Sequence, residues 1–232
     1  MYNLDFNFFL MPKTITQIIV QQKKKNRCSI FLDDEFGFGL HQEVVFHFWL
    51  KKGDKLTEAQ IEEILYSEEK KKATERALNF LSHRDRSEKE MRTKLKQVGF
   101  EEKIINLVID DLKRLQLIDD KKFSMSFAKN TLFTRPIGEF LLKNELKQKG
   151  LSDDLIAETV DSLYKAKSQF DIAFELARKR KKLVSHLDEI KAKKRVSDFL
   201  ARRGFSWDIV LQIIEHWEDL DIEDEWKKCY KR

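Results

Sequence analysis

Residues 77–123 read ALNFLSHRDRSEKEMRTKLKQVGFEEKIINLVIDDLKRLQLIDDKKF, and this stretch decides the fold. The spacing of its apolar residues predicts three short helices, of which the second ends at Gly99. The same spacing recurs around Gly150 and Gly204, 51 and then 54 residues further along the chain. Self-similarity at such a period is typical of stacked supersecondary units. The sequence therefore predicts a mainly α fold of tandem three-helix repeats that form an elongated array.

Each of the three glycines is expected to end a helix and turn the chain. Glycine adopts the left-handed conformation that follows the last helical turn without the steric cost that other residues meet. Ser152 and Ser206 follow the second and third glycines by two residues, and each can cap the next helix. Glu101 takes that place in the first copy and is a weaker cap. All three copies thus predict a helix, a glycine turn and another helix.

Other signals predict where further helices begin. The second helices of the three repeats are expected to start at Ser87 with Glu90, at Pro136, and at Ser185 with Asp188. Thr57 with Gln60 is another capping box, and it predicts a lead-in helix that ends near Leu65. The pair Asp119–Asp120 precedes a helical pattern, so we interpret it as helix capping rather than as a metal or acid–base site.

Residues 14–50 differ in kind from the repeats. Their β-branched and aromatic residues predict three short strands, at 14–20, 27–32 and 36–40, that form a small antiparallel sheet. A helical turn within 43–50 is expected to cover this sheet. His41 and His47 have no other suitably spaced histidine or cysteine, so no metal site is predicted here.

These signals divide the chain into five parts. They are an extension at 1–13 that is a candidate for disorder, a small β-rich domain at 14–56, repeat one with its lead-in helix at 57–118, repeat two at 119–166, and repeat three with a charged tail at 167–232. Met11 is an alternative start, which leaves residues 1–10 as an extension outside the fold.

Composition narrows the class of protein. Of the 232 residues, 41% are apolar and 37% are charged, enough for a core beneath a large solvated surface. Cys28 and Cys229 stand far apart and fit no metal-binding or redox spacing, as expected of a reduced, cytoplasmic protein. No apolar run approaches the roughly 20 residues that span a bilayer, and the N-terminal segment lacks the basic start of a signal peptide. We expect no membrane association.

The sequence does not favour an enzyme. It contains no G-x-x-x-x-G-K-[ST] phosphate loop, no H-E-x-x-H zinc motif and no G-x-S-x-G nucleophile elbow. Its five histidines are scattered, and its carboxylates fall at helix caps and at solvent-facing helix positions. No catalytic residue, metal site or cofactor is predicted.

Charge is distributed unevenly, although the formal net charge is only +5. Residues 165–203 carry 13 Lys and Arg against 5 Asp and Glu, whereas residues 204–225 carry 8 Asp and Glu and no Lys or Arg. One interpretation is a basic ridge along one side of the array that neutralises phosphates. The alternative, which charge alone favours equally, is a solvated face with ion pairs between neighbouring helical turns.

The residues predicted to contact nucleic acid or a protein partner are cations on or near the second helices. They are Arg84, Arg86, Arg92, Lys96, Arg135, Lys143, Lys147, Lys193, Lys194, Arg202 and Arg203. Trp207 stands where the other copies have Glu102 and Asp153, so we expect it on an exposed first turn as a candidate partner anchor. Packing of Trp207 against the acidic tail region is the alternative.

Three segments resemble the RecX family of recombination regulators: ALNFLSHRDRSEKEMRTKLKQVGF at 77–100, LIDDKKFSMSFAKN at 117–130 and RPIGEFLLKNELKQKGL at 135–151. The residues that match the family pattern are Arg84, Arg86, Ser87, Glu90, Leu95, Gly99, Asp119, Asp120, Phe123, Ala128, Arg135, Gly138, Leu146 and Gly150. The resemblance covers about residues 73–165, and the third copy agrees less well. The β-rich segment resembles an N-terminal extension of some members.

The resemblance implies a non-enzymatic, cytoplasmic regulator of the RecA recombinase. Such proteins lie in the groove of the RecA–DNA filament, bridge neighbouring protomers, and hinder filament growth, ATP hydrolysis and strand exchange. The expected partners are the RecA filament and the single-stranded or duplex DNA within it, bound by a monomer without a cofactor. Two other functions stay open on the residues alone: a nucleic-acid-binding repeat protein that acts without RecA, and a protein-binding scaffold.

Overall fold

The computed structural model describes residues 11–166 and 168–221. Contacts divide the chain into two compact units. The first comprises the chain up to Arg84 together with Met91–Leu117, and the second comprises Asp85–Glu90 together with the chain from Ile118 onward. The predicted fold class, mainly helical with a small N-terminal β-rich segment, is confirmed.

The first unit begins with a four-stranded antiparallel sheet. Its strands are β1 (Lys13–Val20), β2 (Arg27–Leu32), β3 (Glu35–His41) and β4 (Lys55–Leu56), in the order β3-β2-β1-β4. The three predicted strands are confirmed, whereas β4 was not predicted because two residues leave no periodic pattern. Helix α1 (Gln42–His47) follows β3, where the sequence predicts a helical turn.

The sheet packs on the long helix α2 (Glu58–His83) through buried apolar side chains. Ile15, Ile30 and Leu40 from the strands and Ile64 from α2 belong to one cluster, and none is more than 1% exposed. Removing one such side chain from water contributes about 1.5–3 kcal/mol. A continuous core therefore holds the sheet to the helical part of the first unit.

Helix α2 corrects the predicted lead-in helix. The chain does not break near Leu65 but continues as one helix of 26 residues, since no glycine or proline interrupts it. Glu68 in its middle is 1% exposed, and its carboxylate accepts hydrogen bonds from Arg27 at 2.7 Å and from the His41 backbone N–H at 2.6 Å. The charged run that follows Leu65 is thus helical, and Glu68 within it helps to attach the helix to the sheet.

The remaining helices follow the predicted order. They are α3 (Glu88–Val98), α4 (Glu102–Arg114), α5 (Asp120–Thr134), α6 (Glu139–Gln148), α7 (Asp153–Ala166), α8 (Gln169–Leu183), α9 (Glu189–Arg202) and α10 (Trp207–Glu215), with a 3₁₀ helix at Glu218–Asp221. Repeat one consists of α2 to α4, repeat two of α5 to α7, and repeat three of α8 to α10. Within residues 11–166 and 168–221, no helix combines the length and apolarity needed to cross a bilayer.

The repeated apolar template marks the core of each repeat. The positions eight and four residues before the glycines are 0% exposed in all three copies: Met91 and Leu95, Leu142 and Leu146, Val196 and Leu200. Gly99, Gly150 and Gly204 have φ values of 102°, 85° and 82°, the left-handed region that the sequence predicts for them. The helix, glycine turn and helix pattern is therefore confirmed in every repeat.

The predicted caps are mostly confirmed. Ser87, Ser152 and Ser206 each accept a backbone N–H three residues further on, and Asp119 does the same for Lys122 at 2.9 Å. Asp119–Asp120 is thus a capping pair, as predicted.

Two predicted helix starts are wrong. Helix α6 begins at Glu139 with Gly138 as its N-cap, and not at Pro136. Helix α9 begins at Glu189 with Asp188 as its N-cap, and not at Ser185. The Asp188 carboxylate accepts the Lys191 N–H at 3.0 Å and so caps the helix in place of Ser185. At Pro136 the backbone serves a contact between repeats, described below, instead of a helical turn.

Candidate functional site: basic side chains and the joints between repeats

In repeat one, the predicted cations lie at the ends of α2 and along α3. Arg92 donates to Asn106 Oδ1 at 2.5 Å and lies 3.5 Å from a Glu102 carboxylate oxygen. Lys96 is exposed on the last turn of α3, and Arg84 is exposed as the C-cap of α2. Arg86, by contrast, is half-buried. Arg84, Arg92 and Lys96 belong to the first unit, and Arg86 belongs to the second.

In repeat two, every predicted cation meets a carboxylate of its own repeat. The pairs are Arg135 with Glu145 at 2.5 Å, Lys143 with Glu139, and Lys147 with Asp153 at 3.2 Å. The three cationic side chains are 51%, 46% and 69% exposed. Exposed ion pairs contribute only about 0–1 kcal/mol, so at Lys147 a phosphate or a partner's carboxylate can replace Asp153 at little cost, whereas Glu145 beside Arg135 is only 18% exposed.

In repeat three, the predicted cations divide into engaged and open side chains. Lys193 pairs with Glu189 at 2.5 Å and lies over the Trp217 ring. Lys194 and Arg202 are exposed, and within the described residues they make no hydrogen bond or ion pair. Lys96 of repeat one is open in the same sense, exposed and without such a partner among the described residues. A single basic ridge through all three repeats stays a prediction.

Arg203 has a structural contact as well. Its guanidinium donates to the Pro136 carbonyl at 3.1 Å and stacks near the Phe199 ring, 5.2 Å from the centroid. Arg203 is only partly exposed. Its predicted contact with a partner therefore competes with a contact inside the second unit.

Trp207 is 61% exposed on the first turn of α10, as predicted. Leu211, one helical turn further on, is 56% exposed. Residues four apart share one face of a helix, so the two side chains form a small apolar patch. Its role as a partner anchor stays a prediction.

Metal-binding and thiol chemistry find little support in the described part of the chain. There, no group of three histidine, cysteine or acidic side chains converges as a metal ion requires. Cys28 is buried and forms no disulfide, and burial raises the pKa of its thiol. Cys229 lies outside the described residues, as do residues 1–10 of the predicted extension and the tail beyond 221.

Contacts between successive repeats follow a rule that sequence reasoning missed. We call the first joint the contact of Ser87, Glu88 and Glu90 with Asp120 and Lys149, and the second joint the contact of Pro136, Gly138 and Glu139 with Gln169, Arg203 and Gly204. All these residues belong to the second unit. The sequence separations, 62 residues for Ser87 and Lys149, explain why no local pattern revealed them.

Both joints use the same positions counted from the glycines. In the first, the Ser87 hydroxyl donates to the Lys149 carbonyl at 2.6 Å. In the second, the Gly138 N–H donates to the Arg203 carbonyl at 2.8 Å. Ser87 and Gly138 each stand twelve residues before the glycine of their own repeat, and Lys149 and Arg203 each stand one residue before the next glycine.

A second contact in each joint caps a helix from outside its own repeat. Asp120 Oδ1 accepts the Glu88 N–H at 2.9 Å, and Gln169 Oε1 accepts the Glu139 N–H at 3.2 Å. Both N–H groups lie in the first turn of a second helix, where backbone donors lack helical partners. The first helix of the following repeat supplies the acceptor each time. The joints therefore complete the helices that they connect.

The second joint also depends on close backbone approach. A Cβ atom added at Gly138 would overlap the Gly204 carbonyl, and one added at Gly204 would overlap the backbone and Cβ of Leu141. Tyr164 donates to the Ile137 carbonyl at 2.9 Å beside this contact, and its burial raises the pKa of the phenol, which stays neutral. Gly138 has a φ of −80°, so glycine is required there for space alone, whereas Gly204 needs glycine for space and for its left-handed φ of 82°.

A three-helix unit repeated with the same joint, behind a β-rich domain, defines a tandem helical-repeat protein. Family models match it in three places: the regulatory protein RecX N-terminal domain at residues 13–57, the RecX first three-helix domain at 73–112 and the RecX third three-helix domain at 167–214. The chain belongs to the RecX family of regulatory proteins.

Individual relatives agree with this assignment. The regulatory protein RecX of Clostridioides difficile is 34% identical over 210 residues, which cover 90% of this chain and 98% of the relative. That of Bacillus velezensis is 37% identical over 204 residues, covering 88% of this chain and 77% of the relative. Among solved structures, a regulatory protein RecX matches with a TM-score of 0.71 at 28% identity, covering 88% of this chain and 98% of that one. RecX from Lactobacillus salivarius matches with a TM-score of 0.59 at 30% identity, covering 66% of this chain and 98% of that one.

Proposed function

We propose that this protein binds the RecA–DNA filament in the cytoplasm and restrains it, lowering ATP hydrolysis, filament extension and strand exchange by RecA. Membership of the RecX family is the observation that carries the proposal. The chain covers 98% of the Clostridioides difficile relative, so the similarity extends over nearly all of that relative and not over one domain of it. We propose further that it acts as a monomer without a cofactor.

The surface chemistry supports binding through many weak contacts. The predicted cations are spread over three repeats, and Arg135 and Lys147 of repeat two are more than half exposed, where a phosphate or a carboxylate of RecA can reach them. Linked weak contacts gain through effective concentration, because the second contact forms within one complex. Such an arrangement suits a filament, which presents the same surface again at each protomer.

The proposal is tested by DNA-dependent ATP hydrolysis of the cognate RecA, with and without this protein. We expect hydrolysis to fall as the protein is added and to level off at saturation. Undiminished turnover at saturating protein would contradict inhibition as the function.

A charge-reversed pair locates the contact. Lys143→Glu with Lys147→Glu should weaken binding to RecA–DNA filaments about tenfold, since each loses an attraction and gains a repulsion. Lys51→Glu with Lys52→Glu changes charge equally at exposed lysines outside the predicted set and should leave binding within about twofold. Equal affinity of both variants would remove repeat two from the interface.

A second candidate function is nucleic-acid binding without RecA. Lys194 and Arg202 favour it, because both are exposed and free of ion pairs within the described residues. It predicts tight, steeply salt-dependent DNA binding in the absence of RecA. Binding to filaments that greatly exceeds binding to bare DNA would favour the first proposal instead.

A further inference from the structure

A cleft of about 750 Å³ in the first unit is lined by none of the predicted contact residues and by no residue of either joint. Three walls form it. The turn between β1 and β2 supplies Lys24, Asn26 and Arg27, helix α2 supplies Lys72, Glu75, Arg76 and Asn79, and the end of α3 with its turn supplies Val98 and Phe100. The four α2 residues recur at spacings of three, one and three, so they line one stripe of that helix.

Charge in the cleft is positive and only partly compensated. The carboxylate of Glu68 accepts from Arg27 at 2.7 Å and lies 3.5 Å from Lys72, so these two cations share a buried counter-ion. Lys24 and Arg76 are exposed, and neither side chain makes a hydrogen bond or ion pair with the part of the chain described here. Glu75 is the carboxylate among the lining residues, and it lies 3.2 Å from His41 Nε2. The cleft is therefore suited to an anionic ligand.

The third wall is apolar. Val98 is 48% exposed, and Phe100 beside it is partly exposed. The intervening Gly99 has no atom within 4 Å of where a Cβ would lie. In the other repeats the corresponding turns are covered, at Gly150 by Lys89 and at Gly204 by Leu141. The glycine turn of repeat one is thus equivalent to those of repeats two and three, but no other residue covers its outer face, which lines the basic cleft.

We infer that this cleft binds single-stranded nucleic acid, with phosphates at Lys24 and Arg76 and an unstacked base against Phe100 and Val98. Cations alone would suit any polyanion, but an aromatic ring and an aliphatic side chain beside them match the face of a base. A duplex keeps its bases stacked, so it cannot offer that face. A peptide of acidic residues alone, such as poly-glutamate, would leave the apolar wall unused. The Asn79 amide lies where it can donate to or accept from a base edge.

The inference deepens the second candidate function, nucleic-acid binding without RecA, by placing a single-strand site in the first unit, away from Lys194 and Arg202. It also assigns the N-terminal sheet a role: β1 and β2 present the turn that carries Lys24, and Arg27 fixes that turn to α2 through Glu68. The sheet thereby supplies one wall of the proposed binding site.

The test is binding of a fluorescein-labelled oligothymidylate to the full chain, measured by anisotropy across a range of salt concentrations without RecA. Lys24→Glu with Arg76→Glu should weaken binding about tenfold at 0.1 M salt and make the salt slope shallower by about 1.4, the value for two single-strand phosphates. Lys51→Glu with Lys52→Glu, exposed in the same unit and outside the cleft, should bind within about twofold of the parent. Equal binding by the cleft variant and the parent, or equal losses in both variants, overturns the inference.

Two further variants distinguish the contribution of base stacking to binding, and any loss of folding, from the contribution of charge. Phe100→Leu keeps an apolar side chain and removes the ring, so oligothymidylate binding should fall about fivefold. If poly-glutamate competes as well as oligothymidylate and Phe100→Leu has no effect, the cleft is an acidic-peptide site and the inference is wrong. Lys24→Gln with Arg76→Gln carries less repulsion and should lose affinity with an unchanged thermal midpoint; unchanged affinity in that folded variant also overturns the inference.

The outcome is independent of the proposal on RecA. If the parent fails to lower RecA ATP hydrolysis but loses oligothymidylate binding on Lys24→Glu with Arg76→Glu, the cleft stands and filament regulation falls. If the parent lowers hydrolysis and the cleft variant binds oligothymidylate as the parent does, regulation stands and the cleft falls.

Discussion

The first and second joints connect equivalent positions with different chemistry. The first uses a hydroxyl, a carboxylate cap and an ion pair, in which Lys149 Nζ lies 2.7 Å from Glu90. The second uses backbone N–H groups, a neutral amide cap and the close approach of Gly138 to Gly204. Position in the repeat therefore determines where a joint forms, and the residues present there determine what stabilises it.

This difference separates two sources of stability. Charged groups respond to salt and pH, whereas backbone packing responds to added atoms. The stability of the first joint should thus depend on salt and pH, and that of the second joint on the size of the side chains placed in it. Each prediction below tests one side of that contrast, starting with the largest effect.

The largest effect is expected for Gly138→Ala in the second joint. The new methyl group would overlap the backbone carbonyl of Gly204, which no rotamer change relieves, so the free energy of unfolding should fall by about 3 kcal/mol. Gly99→Ala is the matched control, since Gly99 has a left-handed φ of 102° but no atom near its Cβ position. It should cost about 1–2 kcal/mol from backbone strain alone. Urea unfolding measures both, and a larger loss for Gly99→Ala would contradict the account of the second joint.

The next effect is expected for Ser87→Ala in the first joint. The Ser87 side chain is 0% exposed, caps α3 through the Glu90 N–H and donates to the Lys149 carbonyl. Its loss leaves two backbone groups without this partner, and unfolding free energy should fall by about 2 kcal/mol. Ser206→Ala removes an exposed cap that takes no part in a joint and should cost about 1 kcal/mol. Equal costs in urea titrations would mean that the hydroxyl contributes only as a cap.

Salt distinguishes the joints with a smaller effect. Glu90→Gln removes the ion pair with Lys149, whose side chains are 17% and 29% exposed. The loss should be about 1 kcal/mol at low salt and shrink in 1 M NaCl, where the Debye length is about 3 Å. Arg203→Gln removes a hydrogen bond to a carbonyl, and its cost should vary much less with salt. Unfolding midpoints at both salt concentrations decide this, and an equal salt response of the two variants would refute the contrast.

The smallest expected effect is on the stability of the fold at low pH. The backbone N–H of Lys122 holds the pKa of Asp119 below its usual value. Since the folded pKa is the lower one, the carboxylate stabilises the fold above about pH 4 and loses that contribution as pH falls through the folded pKa. Asp119→Asn should keep stability at pH 7 within about 0.5 kcal/mol and flatten its decline below pH 4. Thermal midpoints between pH 2 and pH 7 that fall equally in both proteins would contradict this.

Sequence predicted what local spacing encodes. Residues within one or two helical turns determine the glycine turns, the serine caps and the buried pairs such as Leu142 and Leu146. The pattern of these features recurs in all three repeats. The strands of the sheet were equally legible, because β-branched runs and polar turns alternate over 14–40. Family membership followed from the same segments.

Sequence misled where a distant partner decides. Pro136 has the sequence signature of a helix start, yet its carbonyl accepts from Arg203 across 67 residues, and the helix begins at Glu139. Glu68 lies in a charged run of the sequence, yet its side chain is buried and is paired with Arg27, which lies 41 residues earlier in the chain. The cations predicted as contacts were recognisable as charges, but their internal partners, such as Glu145 for Arg135, depend on tertiary packing.

The residues of each joint stand at fixed distances in sequence from the glycines, so the same contact can form between any two successive repeats. Because the donor always stands twelve residues before one glycine and the acceptor one residue before the next, a 51-residue segment beginning at Asp120 carries both halves of the connection in register. Copying that segment in frame would lengthen the chain by one whole repeat. Insertion or deletion of such a segment should thus change the number of repeats without redesigning any single repeat.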